Sequence, residues 1–226
     1  MNGRSASPSM ERIRSSGQAA AIYRQAGVTL LELVISLGLG LMLVVGIGTV
    51  YVGSNQTYRV QEENARLQES GRYALEAIGR SIRQAGYVEL SVSPVDTKTA
   101  FAGTVITGTN GAGSAPDTIT VQYDWTNGAS ACDGTTAGVA GNFIQNSFNL
   151  DTVNFRLRCD GQVAAAPGAP GNGQPLVEGV EDLQMLYGID TNGDQSADQY
   201  TATPANWNQV VTTRVCVLVR STSAGV

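Results

Sequence analysis

The longest apolar stretch of the 226-residue chain lies near its N-terminus. Residues 33–52 are nearly all apolar or glycine, and no charged residue occurs from Leu33 to Tyr58. A helix needs about 20 apolar residues to cross a bilayer. Glycine is tolerated in membrane helices, where small residues allow close packing. The pattern therefore predicts one membrane-spanning helix.

The helical pattern continues beyond the apolar stretch. Apolar and small residues recur every three or four positions, with charged residues between them. The stripe consists of Val60, Asn64, Leu67, Gly71, Ala74, Ile78, Ile82 and Ala85. It stops at Gly86, a residue type that accepts the left-handed backbone common after a helix. We predict a single helix from Val28 to Ala85, whose second half packs on a soluble domain.

The remainder of the chain is rich in Gly, Ser, Thr, Asn and Ala, with short alternating runs. Strand candidates are residues 118–123, 152–157, 183–189 and 210–219, with loops at 108–116 and 164–174. Strands behind one long helix predict an α+β fold with an antiparallel sheet packed on the helix. The predicted segments are 1–27 (leader), 28–52 (membrane helix), 53–86 (amphipathic helix) and 87–226 (β-rich globular domain).

Charge is distributed unevenly between the leader and the rest of the chain. The leader carries Arg4, Arg12, Arg14 and Arg24 against Glu11, whereas the rest has ten basic and eighteen acidic residues. A basic segment before a membrane helix stays in the cytoplasm, so the globular domain is expected in the periplasm. The acidic domain offers no basic patch for nucleic acid.

Residue types that support common enzyme chemistry are scarce. The chain has no histidine, and Lys98 is its only lysine. A Ser-His-Asp or Cys-His site and a phosphate-binding Gly-Lys-Ser/Thr loop are therefore impossible. We expect a protein that is not an enzyme and requires no cofactor.

Two ordinary explanations of the apolar stretch conflict with Glu32. A secretory signal peptide has a shorter apolar core followed by a small-residue cleavage site, and no such site follows here. A simple membrane anchor would hold an isolated carboxylate in its first turns at a cost, unless that carboxylate has a partner.

Three segments resemble type IV pilins. Residues 27–32, Gly-Val-Thr-Leu-Leu-Glu before an apolar helix, resemble the prepilin peptidase site of type IV pilins and type II secretion pseudopilins. Residues 54–86 and 179–220 resemble PilW-type minor pilins in particular. The resemblance implies a pilin fold, cleavage after Gly27, methylation of the new amine at Val28, and pairing of Glu32 with the amine of a neighbouring subunit.

The resemblance also implies a function and partners. Such a minor pilin takes part in type IV pilus assembly or initiation, with roles in adhesion or motility. Its partners are other minor and major pilins, a PilY-type tip adhesin and the prepilin peptidase. It lies in the inner membrane as a precursor and on the pilus or cell surface afterwards. Two alternatives stay open: a J-type type II secretion pseudopilin, and a membrane-tethered ligand- or calcium-binding module that never polymerises.

The chain departs from the family pattern in three places. Its leader is long, which suggests a later start codon such as Met10. Val28 stands where phenylalanine is usual. The sequence ends soon after a strand candidate, so a shortened C-terminus that leaves a sheet edge uncovered is expected.

Three cysteines, Cys132, Cys159 and Cys216, follow the membrane segment and would face an oxidising periplasm. Three single-disulfide pairings are open, as are three free thiols. Cys132–Cys159 is favoured because each is followed by Asp-Gly, which marks a turn. Cys216 lies in an apolar run and is expected to be a buried thiol.

Residues 190–198 place oxygen-bearing side chains at alternate positions: Asp190, Asn192, Asp194, Ser196 and Asp198. The spacing resembles the start of a calcium loop, but Thr201 stands at the twelfth position, where such loops have Glu. Asn192-Gly193 is also a strong signal for a hairpin turn between two strands. The sequence leaves both calcium binding and a plain turn open.

Overall fold

The computed structural model describes residues 27–88, 101, 103–125, 129–136, 142–164 and 168–222. Residues 1–26 of the predicted leader and Lys98 lie outside these residues. The chain divides into two compact units, Met1–Gly53 and Ser54–Val226. The helix α1, Leu30–Gln84, contributes residues to both units.

The bounds of α1 follow from local chemistry at each end. The Thr29 hydroxyl accepts a hydrogen bond from the Glu32 N–H at 3.3 Å, so Thr29 caps the helix and Val28 lies before it. Gly86 has φ +71°, the left-handed conformation expected after a helix. Its N–H donates to the Gln122 carbonyl at 2.9 Å, which fixes the helix end to the sheet.

Within the described residues, eight strands form two antiparallel sheets rather than one. The first sheet has the order β1-β2-β3-β4-β5. Its strands are β1 (Ile106–Thr109), β2 (Thr118–Trp125), β3 (Asn142–Asp151), β4 (Arg156–Ala164) and β5 (Gln174–Glu178). The second has the order β7-β6-β8, with β6 (Val180–Ile189), β7 (Gln199–Thr201) and β8 (Val210–Val219). A 3₁₀ turn, Trp207–Gln209, leads into β8. The α+β prediction is confirmed.

Three of the four predicted strands correspond to β2, β6 and β8, and the fourth, at 152–157, is wrong. The β3 strand ends at Asp151 and a turn follows before Arg156. The Asp151 carboxylate accepts the N–H groups of Val153 and Asn154 at 3.2 and 3.1 Å, which stabilises the turn. Phe155 completes the reversal with φ +52°.

Sequence reasoning missed β3 because three consecutive polar residues lie at its centre. Gln145, Asn146 and Ser147 are all buried in the folded domain. Residues 168–172 cover the outer side of this strand, where the Gly168 carbonyl accepts from Gln145 Nε2 at 3.0 Å. Ile144 and Phe148 on either side of this centre belong to the core, but the polar centre interrupts the alternation of apolar and polar residues that predicts a strand.

The buried face of α1 differs at its start from the predicted stripe. Ala74 and Ile78 are buried, as predicted, and Ser81, which the predicted stripe did not include, is buried as well. Val60 and Asn64 are exposed, so the stripe begins later than predicted. Glu63 is half-buried and accepts a 2.7 Å hydrogen bond from the Ser221 hydroxyl.

The hydrophobic core lies between this helix face and the inner faces of both sheets. Its largest members include Phe148, Ile144 and Leu157 of the first sheet and Leu183 and Tyr187 of the second. Trp207 packs edge-on against Tyr187, with ring centroids 4.8 Å apart. Both sheets therefore need each other and the helix to bury their inner faces.

Asp117 joins the two sheets at a buried point. Its side chain is 2% exposed and lies just before β2. One carboxylate oxygen accepts from the Gly111 N–H at 2.8 Å, and the other accepts from the Met185 N–H of β6 at 2.7 Å. Its own N–H donates to the Leu183 carbonyl at 2.8 Å. Asp117 thus forms hydrogen bonds like those of a neighbouring strand, along the part of β6 that does not pair with β7.

We expect Asp117→Ala to destabilise the domain by about 3 kcal/mol, because it leaves the buried N–H groups of Gly111 and Met185 without acceptors. Denaturant unfolding of the full-length protein in detergent measures this change. Asp117→Asn retains one acceptor oxygen and should lose less. Asp124→Ala in β2 is the control, with an expected change within about 0.5 kcal/mol. Equal stability of Asp117→Ala and the control would contradict this role.

Candidate functional site

The start of α1 has the sequence of a capping box, Thr29-x-x-Glu32. The Thr29 carbonyl accepts from the Leu33 N–H at 3.2 Å, and its hydroxyl accepts from the Glu32 N–H. Glu32 therefore lies in the first helical turn, where a negative charge offsets the positive end of the helix dipole.

Cleavage between Gly27 and Val28, as the resemblance implies, would place a new amine one residue before this cap. A positive amine at the positive end of a helix is disfavoured. The Glu32 carboxylate, in the same first turn, is positioned to offset both charges. Gly27, Val28 and Glu32 lie close together in sequence around this cap, and their roles in cleavage, methylation and assembly stay predictions.

The first half of α1 is long and apolar enough to cross a membrane, judged by length and composition. Its large side chains, such as Leu33, Leu41 and Val50, are more than half exposed. The hydroxyls within it are satisfied internally: Ser36 donates to the Leu33 carbonyl at 3.0 Å and Thr49 to the Gly46 carbonyl at 2.8 Å. This arrangement suits an apolar medium.

The glycines of this segment have no packing role within the described chain. A Cβ added at Gly38, Gly40, Gly46 or Gly48 would meet no described atom within 4 Å. Glycine in a helix costs about 1 kcal/mol relative to alanine in water. Contacts with other helices are a physical reason for small residues here.

The structure contains the disulfide Cys132–Cys159, whose Cα atoms are 6.1 Å apart. Cys159 is fully buried in β4, so the bridge fixes the loop around Cys132 onto the first sheet. A Cβ at Gly161 would lie 2.2 Å from Asp133 Oδ1 and 2.6 Å from the Ala131 Cβ. Gly161 therefore permits the close approach of this loop to β4.

A buried polar cluster centred on Asn146 connects this loop to the helix. Asn146 Nδ2 donates to the hydroxyl oxygens of Ser81 and Tyr123, each at 3.3 Å. Its Oδ1 accepts from the Cys132 N–H at 2.9 Å. Burial raises the pKa of Tyr123, so its phenol stays neutral and can remain in the cluster. Sequence reasoning missed this cluster, because its members are far apart in the chain.

Cys216 is exposed on β8, and the prediction of a buried thiol is wrong. Along β8 the residues Val215, Val217 and Val219 are half-buried and pack against the core, whereas Cys216 alternates to the outer face. An apolar run of this kind has only one face buried, because β8 belongs to a sheet with a solvent-facing side.

The carboxylates of the acidic loop accept hydrogen bonds from the backbone N–H groups of the same loop. Asp190 Oδ1 accepts from the N–H groups of Asn192 and Gly193 at 3.1 and 2.6 Å, and Oδ2 accepts from Gln195 at 2.7 Å. Asp198 Oδ2 accepts from the Thr191 N–H and hydroxyl. Asn192 and Asp194 are exposed at the tip. The described residues contain no cluster of three acidic, His or Cys side chains able to hold a metal.

These hydrogen bonds, led by the Gly193 N–H, hold the pKa of Asp190 below its ordinary value. The Thr191 hydroxyl chiefly does the same for the pKa of Asp198. A lowered folded-state pKa means that the ionised carboxylates stabilise the fold above their unfolded pKa of about 4. This contribution is lost as the pH falls through the lowered values.

The geometry defines a class of protein: a β-rich domain carried by a long helix whose first half suits a membrane. Within that class, residues 143–225 match the family model of PilW, type IV pilus-assembly protein W. The match spans β3 to β8 and confirms the resemblance to a PilW-like type IV pilus protein, with a role related to pilus assembly. No curated protein and no solved structure matches the chain.

We expect the unreduced protein to have one reactive thiol, Cys216, because it is exposed and the other two cysteines are bridged. Thiol labelling before and after denaturation, read by mass spectrometry, should modify this residue alone. Reduction should destabilise the domain by about 3.5 kcal/mol, from loop entropy across a 27-residue separation. Labelling of Cys132 or Cys159 without reduction would contradict the pairing.

Calcium binding by the acidic loop stays a prediction from the sequence. If the loop binds calcium, millimolar calcium should raise the melting temperature of the protein relative to chelator. Asp194→Asn should abolish the shift, whereas Glu181→Gln, an exposed charge change outside the loop, should preserve it. If the wild type has the same melting temperature with calcium and with chelator, only the interpretation of the loop as a plain turn remains.

Proposed function

We propose that this chain is a minor pilin that takes part in the assembly or initiation of a type IV pilus. The PilW match carries the proposal. The apolar first half of α1 and the capped Glu32 at its start support it. Adhesion or motility would follow from the filament, in which the domain presents an outer surface.

The mechanism is polymer assembly. The precursor rests in the inner membrane until a prepilin peptidase cuts between Gly27 and Val28. The apolar helix then leaves the lipid and packs among the helices of other pilins. The four glycines that meet no described atom of their own chain would allow close helix packing in that setting.

Glu32 would direct this transfer through its charge. An unpaired carboxylate in an apolar environment is disfavoured by a few kcal/mol or more. A filament supplies a partner, the amine of an incoming subunit, which would attract that subunit and set its axial register. Glu32 lies in the first turn of the helix, where its N–H donates to the Thr29 hydroxyl, so its carboxylate is near the helix start at which such an amine would arrive.

The PilW match favours a pilus over a type II secretion system. Deletion of the gene distinguishes the two: loss of pili would support the pilus, and loss of secretion would support the secretion system. A membrane-tethered module that never polymerises predicts no peptidase processing. A size shift of the protein on removal of the peptidase therefore separates it from a pilin. The proposed partners are other minor and major pilins and a PilY-type tip adhesin.

We expect Glu32→Ala to permit membrane insertion and cleavage but to reduce incorporation into the filament by about tenfold or more, because a lost pairing of about 1.4 kcal/mol changes an equilibrium tenfold. The measurement is the amount of this subunit in sheared pili relative to the membrane pool. Methylation of Val28 is followed by mass spectrometry in the same samples, because its loss would confuse the result.

Two variants make this experiment decisive. Ser36→Ala changes a neighbouring polar residue of the same helix without altering charge and should incorporate normally. Gly27→Val should leave the precursor uncut, because a side chain before the cut hinders the close approach of the peptidase. Normal maturation of Gly27→Val would refute the peptidase interpretation, and equal incorporation of Glu32→Ala would show that Glu32 is only a tolerated charge.

A further inference from the structure

A cavity of about 380 Å³ lies between the second half of α1 and the inner face of the first sheet. Helix residues from Tyr73 to Gln84 form one wall, and Phe148 and Leu176 form part of the other. The loop around Cys132 borders the cavity as well. Sites for small molecules in proteins measure about 300–1,000 Å³. This cavity can therefore hold a small molecule, and the side chains that line it decide which kind.

The floor of the cavity consists of three polar side chains of the buried cluster: Ser81, Tyr123 and Asn146. None of them is more than 4% exposed. Because the Asn146 amide oxygen accepts from the Cys132 N–H, the amide nitrogen faces the two hydroxyls and donates to both. Each hydroxyl oxygen therefore acts as an acceptor, and its own hydrogen remains to be donated.

The two floor hydroxyls have no acceptor for these hydrogens in the part of the chain that the structure describes. A buried donor without an acceptor destabilises a protein, and a ligand oxygen at the floor would satisfy it. An apolar ligand would leave both hydrogens unsatisfied. A cation would meet the positive ends of two O–H groups. The floor therefore selects a ligand that brings oxygen acceptors.

The charge around the cavity disfavours an anion. From Val28 onward the chain has ten basic and eighteen acidic residues, and Glu76 stands at the rim of the cavity. The one cation of the rim, Arg80, lies 3.7 Å from the Glu76 carboxylate, so the two charges offset each other. The side chains of both are more than half exposed and can still bond a ligand. A neutral, oxygen-rich molecule fits this balance.

The rim adds an aromatic ring and groups that accept hydrogen bonds. Tyr73 is 54% exposed there, although it is a large aromatic residue. The face of its ring can pack against the C–H groups of a sugar ring, which buries apolar surface on both. The Glu76 carboxylate and the Gln84 amide oxygen accept hydrogen bonds. A sugar hydroxyl both accepts and donates, so it matches the donors of the floor and the acceptors of the rim.

We propose that this cavity binds a neutral sugar, with oxygen atoms of the sugar at the Ser81 and Tyr123 hydroxyls and one face of its ring on Tyr73. A peptide also brings neutral oxygen atoms, but each peptide N–H can only donate. The cavity and its side chains carry this inference. The use of sugar binding for adhesion by a pilus rests on the proposed function.

The test is saturation-transfer NMR on the full-length protein, in a detergent whose head group contains no sugar. The probes are the methyl glycosides of glucose, galactose, mannose and N-acetylglucosamine. At least one should bind, and a titration then gives its dissociation constant. The inference is wrong if none of the four binds. It is also wrong if acetate or a capped alanine peptide binds at the cavity and the glycosides do not.

Removal of one floor hydroxyl tests the predicted hydrogen bond. Tyr123→Phe keeps the ring but loses the O–H donor, so glycoside affinity should fall by about tenfold, the effect of one hydrogen bond. Tyr200→Phe removes a tyrosine hydroxyl outside the cavity and should leave affinity within about twofold. Equal affinities of the two variants would overturn the inference.

The aromatic contact can be tested at the exposed rim, where substitution leaves the core intact. Tyr73→Ala should lose about tenfold in glycoside affinity, as expected for a central aromatic contact. Tyr73→Phe keeps the ring and should stay within about twofold of the wild type. Denaturant unfolding shows that each variant is folded. Unchanged affinity of a folded Tyr73→Ala would place the sugar elsewhere and refute the site.

The two proposals fail in different ways. Tyr73→Ala should enter sheared pili as the wild type does, because it leaves the apolar half of α1 unchanged. If the purified protein binds a glycoside but the subunit never enters pili, the proposed function is wrong and the sugar site stands. If the subunit enters pili but binds no glycoside, the sugar site is wrong and the proposed function stands.

Discussion

The buried carboxylate of Asp117 is the interaction on which the assembly of this domain depends. A charge at 2% exposure persists only where donors surround it, and here the backbone groups of Gly111 and Met185 supply them. Because Gly111 lies in the loop between β1 and β2 of the first sheet and Met185 lies in β6 of the second, the carboxylate has both donors only when this loop and β6 are brought together. That union brings β8 into place, so that Val215, Val217 and Val219 pack against the core.

The helix α1 meets two chemical demands along one continuous sequence. In its first half, large apolar side chains face outward and hydroxyls bond to their own backbone, as a membrane or a filament core requires. In its second half, Ile78 and the small residues Ala74 and Ser81 form the buried face, and the two small residues let the sheets approach closely. Larger residues at those positions would push the sheets away and open the Asn146 cluster.

The candidate assembly residues and the globular domain differ in the interactions that fix their positions. Gly27, Val28 and Glu32 are placed by a helix cap, a purely local device. The disulfide and the Asn146 cluster, in contrast, connect the helix, the first sheet and the Cys132 loop. The domain therefore depends on long-range contacts, whereas the N-terminal segment does not.

The amino-acid sequence by itself determined the features that depend on near neighbours: the long helix, its membrane-compatible half, the motif around Gly27, and the strands β2, β6 and β8. It also favoured the pairing of Cys132 with Cys159 through the turns beside them. Only the tertiary structure decided the division into two sheets, the turn at Asp151, the exposure of Cys216 and the roles of Asp117 and Asn146. The physical reason is that a polar residue in a strand is buried or exposed according to partners far away in sequence. Asn146 finds Ser81 on the helix and Cys132 in a loop, and no local pattern encodes either contact.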